Sequence, residues 1–368
     1  LPASPSAGNI VSISDYNGSA STNSIIVARN GSNINGDAAN YKITKGDSAV
    51  TFVYVDATVG WTSVQTSSIS DNKSPFLIAS GGTETTCGYF NIHTFTGPGT
   101  FTVCQVSNTP EENTVGYLVI GGGGAGGAGG SSVTGGGGGA GGFREGRNVP
   151  VDNFTASPLV ANAPTNAITV TAQAYPIQVG GGGASVGPGD AAGNSGTPSI
   201  FSTITSAGGG GGGGNNSCET AGGSGGGGKE SDGSGGAGNT PPVSPPQGRN
   251  GGAGTEAGNA SGGGGGAGAV GGPGSPGPSA EGGVGVSTSI TGASVQRAGG
   301  GGSQTASGGA GGGGTGGGSP SFPNGGSNVP GGNGTANTGS GGGGSVNNIT
   351  PGSGAGGSGI VVIRYKFQ

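Results

Sequence analysis

The chain of 368 residues has no methionine, one tryptophan, one histidine and three cysteines, and only 11 basic and 16 acidic residues. Each scarcity excludes a class of protein. Cys87, Cys104 and Cys218 are too few for a disulfide framework and one must be unpaired, so free thiols assembled in a reducing cytoplasm are expected. One histidine and three dispersed cysteines do not supply the clustered ligands of a zinc site. The same shortage leaves His93, in "NIHTF", as the sole base available to any Ser–His–Asp triad; it is expected on the surface or against a hairpin. No run of lysine or arginine offers the basic stripe that nucleic acid requires. No apolar run reaches the roughly 18 residues of a membrane span, and no signal-peptide pattern is present. A chain that begins at Leu1 without methionine is expected to be a processed product or a piece of something longer.

Glycine is what the chain has in excess. Of its 100 glycines, 12 lie in residues 1–120 and the other 88 in 121–368. Collagen would need glycine strictly at every third position. Here glycine follows glycine, as in Gly208 to Gly214, and only "GPGSPG" (272–277) hints at a triplet.

Residues 9–66 alternate like strands in "IVSIS" (10–14), "SIIVA" (24–28), "YKIT" (41–44), "AVTFVYV" (49–55) and "WTSV" (61–64), separated by Gly/Asn/Asp turns. About 55 residues make a self-sufficient β domain hard to stabilise, so this module is expected to pair with partners. Residues 67–86, rich in Ser, Thr and Asn, read as a linker. A hairpin is expected next, "YFNIHTF" (89–95), turn "TGPG", then "TFTVCQV" (100–106). One unit then recurs: a short strand delivers the chain into glycine, in "YLVIGGGG" (117–124), "YPIQVGGGG" (175–183), "FSTITSAGGGGGGG" (201–214) and "ASVQRAGGGG" (293–302). The strand "GIVVIRYKF" (359–367) closes the chain. A random-coil linker has no reason to alternate with strands. The ordered alternative is a bundle of polyglycine II helices, left-handed, with three residues per turn and about 3.1 Å rise, whose peptide groups must bond to neighbouring tracts.

Catalytic motifs are weak. "GSGGGGKES" (223–231) imitates a phosphate loop through Lys229, but Glu230 stands where Ser or Thr must hold magnesium. A glycosidase needs two placed carboxylates. Glu111–Glu112 lies in a turn, and Asp152, Asp190, Glu219, Glu230, Asp232, Glu256 and Glu281 sit in separate interruptions of the glycine. The longer interruptions, "FREGRNVPVDNF" (143–154), "NNSCET" (215–220), "KESDG" (229–233), "NTPPVSPPQGRN" (239–250) and "SPSFPNGGSNVPGGN" (319–333), offer aromatic and polar groups on a rigid base. The proline-rich ones lose little entropy on binding.

The run "HTFTGPGTFTV … VGYLVIGGGGAGG … SGIVVIRY" resembles the glycine-rich domain of bacteriophage tail-fibre and adhesin sequences. The segment "GGFREG … TASPLV … ITVTAQAYPIQVGGGGA" (141–184) is similar to marine and cyanophage members. The resemblance covers residues 87–368. It implies an all-β fold plus polyglycine II helices: a jelly-roll-like β-sandwich with a packed bundle of left-handed glycine-rich helices, following the N-terminal antiparallel β module. The expected organisation is residues 1–66 as β module, 67–86 as linker and 87–368 as glycine-rich domain, with framing strands in 89–120, 167–180, 200–206, 286–297 and 359–367. The function implied is a non-enzymatic virion structural protein, a homotrimer joined to other fibre proteins through its N-terminal part. It would bind a host-surface glycan or outer-membrane protein through displayed loops. Candidate contacts are Phe143, Arg144, Arg147, Lys229, Arg249, Asn250, Phe322 and Asn324. No cofactor, metal, nucleic acid or membrane insertion is expected. A virion decoration or filament subunit without a receptor is the competing reading, and a polysaccharide depolymerase a minor one.

Overall fold

A computed structural model describes the chain except residues 69–75, 108, 131–132, 163–167, 190, 215–216, 232–233, 258, 277–278, 306–307, 311–329, 347–349, 351 and 368. The chain divides into two compact units, Leu1–Pro75 and Phe76–Gln368.

The first unit contains β1 (Ile10–Ser14), β2 (Ile25–Val27), β3 (Tyr41–Ile43), β4 (Ser48–Asp56) and β5 (Gly60–Ser68). β4 lies between β1 and β5 in an antiparallel sheet, and β2 pairs with β3. The alternation along β4 puts Val50 and Phe52 on one face, where they join Trp61, Val27, Ile34, Ile43 and Ala20 in a core of the unit's own.

The second unit opens with β6 (Ile78–Ser80) and β7 (Thr83–Cys87), so residues expected as linker are already sheet. β8 (Phe90–Phe95), β9 (Gly99–Gln105) and β10 (Thr114–Ile120) follow. Next come β11 (Phe143–Arg147), β12 (Val160–Asn162), β13 (Ile168–Thr169) and β14 (Ala174–Gln178). β15 (Ser199–Phe201), β16 (Ile204–Ser206), β17 (Val286–Thr288), β18 (Val295–Arg297), β19 (Gln304–Thr305), β20 (Gly308–Ala310) and β21 (Ile360–Lys366) complete the set.

Two sheets carry the unit: β12-β11-β10-β21-β8-β7, with β13 also on β10, and β16-β15-β14-β9-β6. The expected hairpin of 89–106 is therefore not one. β8 pairs with β7 and β21, while β9 pairs with β14 and β6 in the other sheet. The reason is burial: Phe95 and Phe101 both belong to the core shared by the two sheets, and an arch, unlike a hairpin, lets both strands supply it. Phe101 stands edge-on to Phe201 (6.2 Å) and His93 (5.1 Å), and Tyr365 stacks on His93 at 5.5 Å.

His93 is thus fully buried and not a surface residue. Its Nδ1–H donates to the Gly81 carbonyl (2.7 Å), which leaves Nε2 to accept from the Tyr365 hydroxyl at 3.2 Å. The opposite face of the first sheet is buried too, through Leu118, Ile120, Val362 and Phe143. Strands covered on both faces read as unbroken apolar runs, which is why "YLVI" and "IVVI" show no alternation. They are direct neighbours, with Ile120 opposite Ile360.

From Gly121 the chain enters glycine without leaving the interior. The N–H groups of residues 121–128 donate in three directions in rotation, over 2.8–3.0 Å. Gly121, Gly124 and Gly127 bond to the carbonyls of Gly142, Gly139 and Gly136. Gly122, Ala125 and Ala128 bond to those of Thr197, Asn194 and Ala191, and Gly123 and Gly126 to those of Gly357 and Gly354. In each series the donor number rises by three while the acceptor number falls by three, so these neighbours run antiparallel. The carbonyls reach others: Gly122 and Ala125 accept from Gly209 and Gly212, Gly124 and Gly127 from Gly342 and Ser345, Gly123 from Gly183. A strand bonds in one plane; this tract bonds all round, and its neighbours form a lattice.

The lattice spacing excludes side chains. A Cβ on Gly124 would lie 2.1 Å from the Gly210 carbonyl oxygen and one on Gly123 2.0 Å from that of Ser340, whereas one on Gly181 meets only Thr197 Oγ1 at 3.9 Å. Gly124→Ala is therefore expected to destabilise the second unit by about 3 kcal/mol or more, as overpacking against backbone that cannot yield. Gly181→Ala should stay within about 0.5 kcal/mol of the parent. Denaturant unfolding of the two variants checks the pair, and equal effects would contradict the lattice.

Candidate binding surface

The chain crosses the lattice back and forth. Residues 121–128, 207–214, 248–254, 298–303 and 339–346 lead away from the strands, and 135–142, 191–197, 260–267 and 352–359 return. The turns consequently segregate to two ends. Thr134, Ser261 and Ser303 meet at the far end, where Thr134 Oγ1 donates to Ser261 Oγ (2.9 Å) and Ser303 Oγ to the Ser261 carbonyl (2.7 Å). The strand-side end carries residues 239–248, 267–270, the β17–β18 hairpin and 335–339.

The proline loop at the strand-side end is held from inside. Asn239 takes the left-handed conformation (φ 52°) that Asn tolerates. Its Oδ1 accepts from the N–H groups of Val243 and Gln247, each at 3.1 Å. Gln247, buried, donates through Nε2 to the Pro241 carbonyl (2.8 Å) and accepts through Oε1 from Ala207 N–H (2.9 Å). Its own carbonyl takes the N–H of Phe143 at 2.7 Å, which ties the loop to the start of β11. Outside this frame lies an open depression lined by Gly238, Asn239, Pro246, Gly248, Arg249, Asn250 and Val270. Asn250 Oδ1 accepts from Gly238 N–H (2.9 Å), and Val270 stands 56% exposed. The half-buried Arg249 guanidinium has no protein partner among the described residues, so it is available to an anionic or hydroxyl-rich ligand.

The sequence-predicted contacts are not one site. Arg249 and Asn250 come together here. Phe143 does not reach a surface: it is a buried β11 residue packed with Leu118 and Phe154, because "FREGR" is a strand and not a loop. Arg144 and Arg147 are half-buried on the same strand, and Arg147 Nη1 donates to the Phe154 carbonyl. Lys229 belongs to the far end, beside Gly254. Phe322 and Asn324 lie outside the described residues. Asn239, Gln247 and Val270 were missed. Asn before "TPP" signals a turn, but nothing marks Gln247 as bonding to residue 207, or Val270 as a neighbour of Arg249.

Three carboxylates brace the sheets. Glu112 takes Lys366 Nζ at 2.8 Å. Glu145, buried, accepts from Ser157 N–H (2.7 Å) and from the Thr288 hydroxyl, and burial raises its pKa. Asp152 accepts from Arg364 Nε at 3.3 Å, both side chains enclosed, while Arg364 also donates to Asn153 Oδ1 and the Ile290 carbonyl. Gly116 permits this approach, since a Cβ there would lie 2.4 Å from Asp152 Oδ2. Among the described residues, no group of three or more His, Cys, Asp or Glu side chains could hold a metal ion. All three cysteines are free.

Burial outweighs the Arg364 charge and pushes the Asp152 pKa up to about 6. The folded state therefore holds a proton that the unfolded chain, with an ordinary carboxylate, releases near pH 4. Stability is expected to fall as pH rises from about 4 to 6, and Glu145 acts in the same sense. Asp152→Asn should flatten that slope and, by stranding Arg364, cost about 3–5 kcal/mol at pH 7. Urea unfolding across the window measures both, and stability rising through it would refute the assignment.

A family model for a glycine-rich domain matches residues 95–366, from the end of β8 to the last residue of β21. No curated protein matches the chain.

Proposed function

Because the chain belongs to the glycine-rich domain family, we propose that it is a bacteriophage tail-fibre or adhesin-type virion protein, non-enzymatic, that binds a host-surface glycan or outer-membrane protein. In this reading the tracts are polyglycine II helices packed beside a jelly-roll-like sandwich. The three-residue rotation of hydrogen bonds along residues 121–128 supports that assignment, since three residues per turn aims successive N–H groups about 120° apart. The observation that carries the function is the frame beneath the proline loop. Asn239 and Gln247 fix a surface loop to a backbone-bonded scaffold, so little ordering entropy remains to be lost on binding.

Charge favours the strand-side end as the binding face. Its segments 239–250, 267–270, 284–298 and 335–339 contain Arg249 and Arg297 and no Asp or Glu, while Glu219, Glu230 and Glu256 outnumber Lys229 at the far end. An anionic envelope surface would be steered to the former and repelled by the latter. The protein would be a homotrimer that meets other fibre proteins through the first unit, which native mass spectrometry tests; a monomer contradicts it.

The binding test uses labelled full chain on intact candidate host cells. Arg249→Ala combined with Val270→Ser, both lining the depression, should weaken binding at least about tenfold, as loss of a central contact does. Binding by the parent and the variant alike would reject this face. Absence of binding by the parent to any host would favour a decoration or filament subunit.

A further inference from the structure

Arg297 ends β18, where the hairpin passes into the glycine of residues 298–303. It is only 8% exposed, and its Nη1 is enclosed with no hydrogen-bond partner. No described carboxylate or carbonyl bonds any of its guanidinium nitrogens. Arg364 shows how this chain otherwise buries an arginine. That side chain, 2% exposed, reaches a carboxylate, an amide oxygen and a backbone carbonyl, one for each nitrogen. Arg297 has no such set. Burial alone pulls its pKa down, with no nearby acid opposing. A guanidinium stays charged in proteins, and a buried charge without a counter-charge is strongly unfavourable. The loops that share its end of the lattice hold no acid, and Glu145, the carboxylate that reaches this hairpin, is bonded to Thr288 and Ser157 and not to Arg297.

We propose that Arg297 is an oxyanion site: its guanidinium fork receives two oxygens of a phosphate or carboxylate group through parallel N–H···O bonds. Arg is suited to this because its donors are planar and fixed, and the neighbouring glycine tract leaves no side chain to compete for them. The site is separate from the Arg249 depression and does not depend on the adhesin reading. It would neutralise a cation that is buried without an ion-pair partner among the described residues, so occupancy would stabilise the second unit whatever the protein binds elsewhere.

The test is thermal melting of the full chain in inorganic phosphate or in glucuronate, each at tens of millimolar and matched to chloride for ionic strength. A rise in Tm of about 2–4 °C over chloride is expected in at least one arm. A response to phosphate indicates a phosphorylated ligand, and one to glucuronate an acidic sugar. The rise should vanish in Arg297→Met, which keeps the apolar stem, and persist in Arg249→Gln. Without either anion, Arg297→Met should melt no lower than the parent, since it replaces an unpaired buried charge with apolar atoms. No rise in either arm overturns the proposal, as does a rise that Arg297→Met retains. Should Arg297→Met fail to fold, the Nε–H resonance of Arg297 in the parent decides. A saturable shift on titration with phosphate or glucuronate supports the site, and an unmoved resonance overturns it.

Discussion

A buried peptide group must find a hydrogen bond, and an extended glycine tract cannot supply one to itself. Everything unusual in the second unit follows from that constraint. Residues 121–128 are enclosed, so each N–H and C=O must reach another chain segment. The segments must lie close enough for N–H···O bonds in several directions at once, and a Cβ at most of these positions would overlap a carbonyl oxygen. Glycine is costly in backbone entropy. Here that cost is offset by a dense, mutual set of backbone bonds and not by apolar burial. The few alanines in the lattice interior, such as Ala125, Ala128 and Ala140, mark positions where a methyl group fits.

A lattice held by backbone alone has little to specify register, because one glycine resembles the next. The strands supply what glycine lacks. β10 delivers the chain into residues 121–128, and β21 receives it from 352–359, with the two strands paired residue by residue from Gly116–Arg364 to Ile120–Ile360. The first and last passages are therefore locked in phase by side chains with defined faces: Leu118 and Val362 to one core, Val119 and Val361 to the other. The β15–β16 and β17–β18 hairpins repeat this at intermediate passages. Hydroxyls do the corresponding work at the far end, where Thr134, Ser261 and Ser303 interlock side chain with backbone.

Much of this was legible in the sequence, and what was not has a physical reason. The strands announced themselves because apolar runs ended abruptly at glycine, and "YLVI" and "IVVI" read as framing strands; that they pair directly with each other is seen only in the fold. The supposed hairpin at 89–106 misled because "TGPG" is good turn chemistry wherever the two strands go afterwards. Sheet membership was decided by Phe95 and Phe101 sharing a core, which only the third dimension reveals. "FREGR" read as a displayed loop because its charges mask a strand. Phe143 packs into an apolar interior with Phe154, and Glu145 meets the polar groups of Ser157 and Thr288. Of the eight candidate contacts, Arg249 and Asn250 converged because they share one loop; bringing in Val270 required the return passage 260–267, set by backbone bonding that no residue identity encodes.

The two arginines of the strand-side end show how the lattice sorts chemistry. Inside it, side chains have no room, so charge is confined to the ends and to the sheets. At the sheets, two cations are paired with acids: Arg364 with Asp152, Lys366 with Glu112. The strand-side turns themselves hold no acid; Arg249 there is half-buried, and Arg297 is largely buried with its Nη1 enclosed and unmet. The strand-side end is thus where the described chain leaves cationic groups without an ion-pair partner of its own.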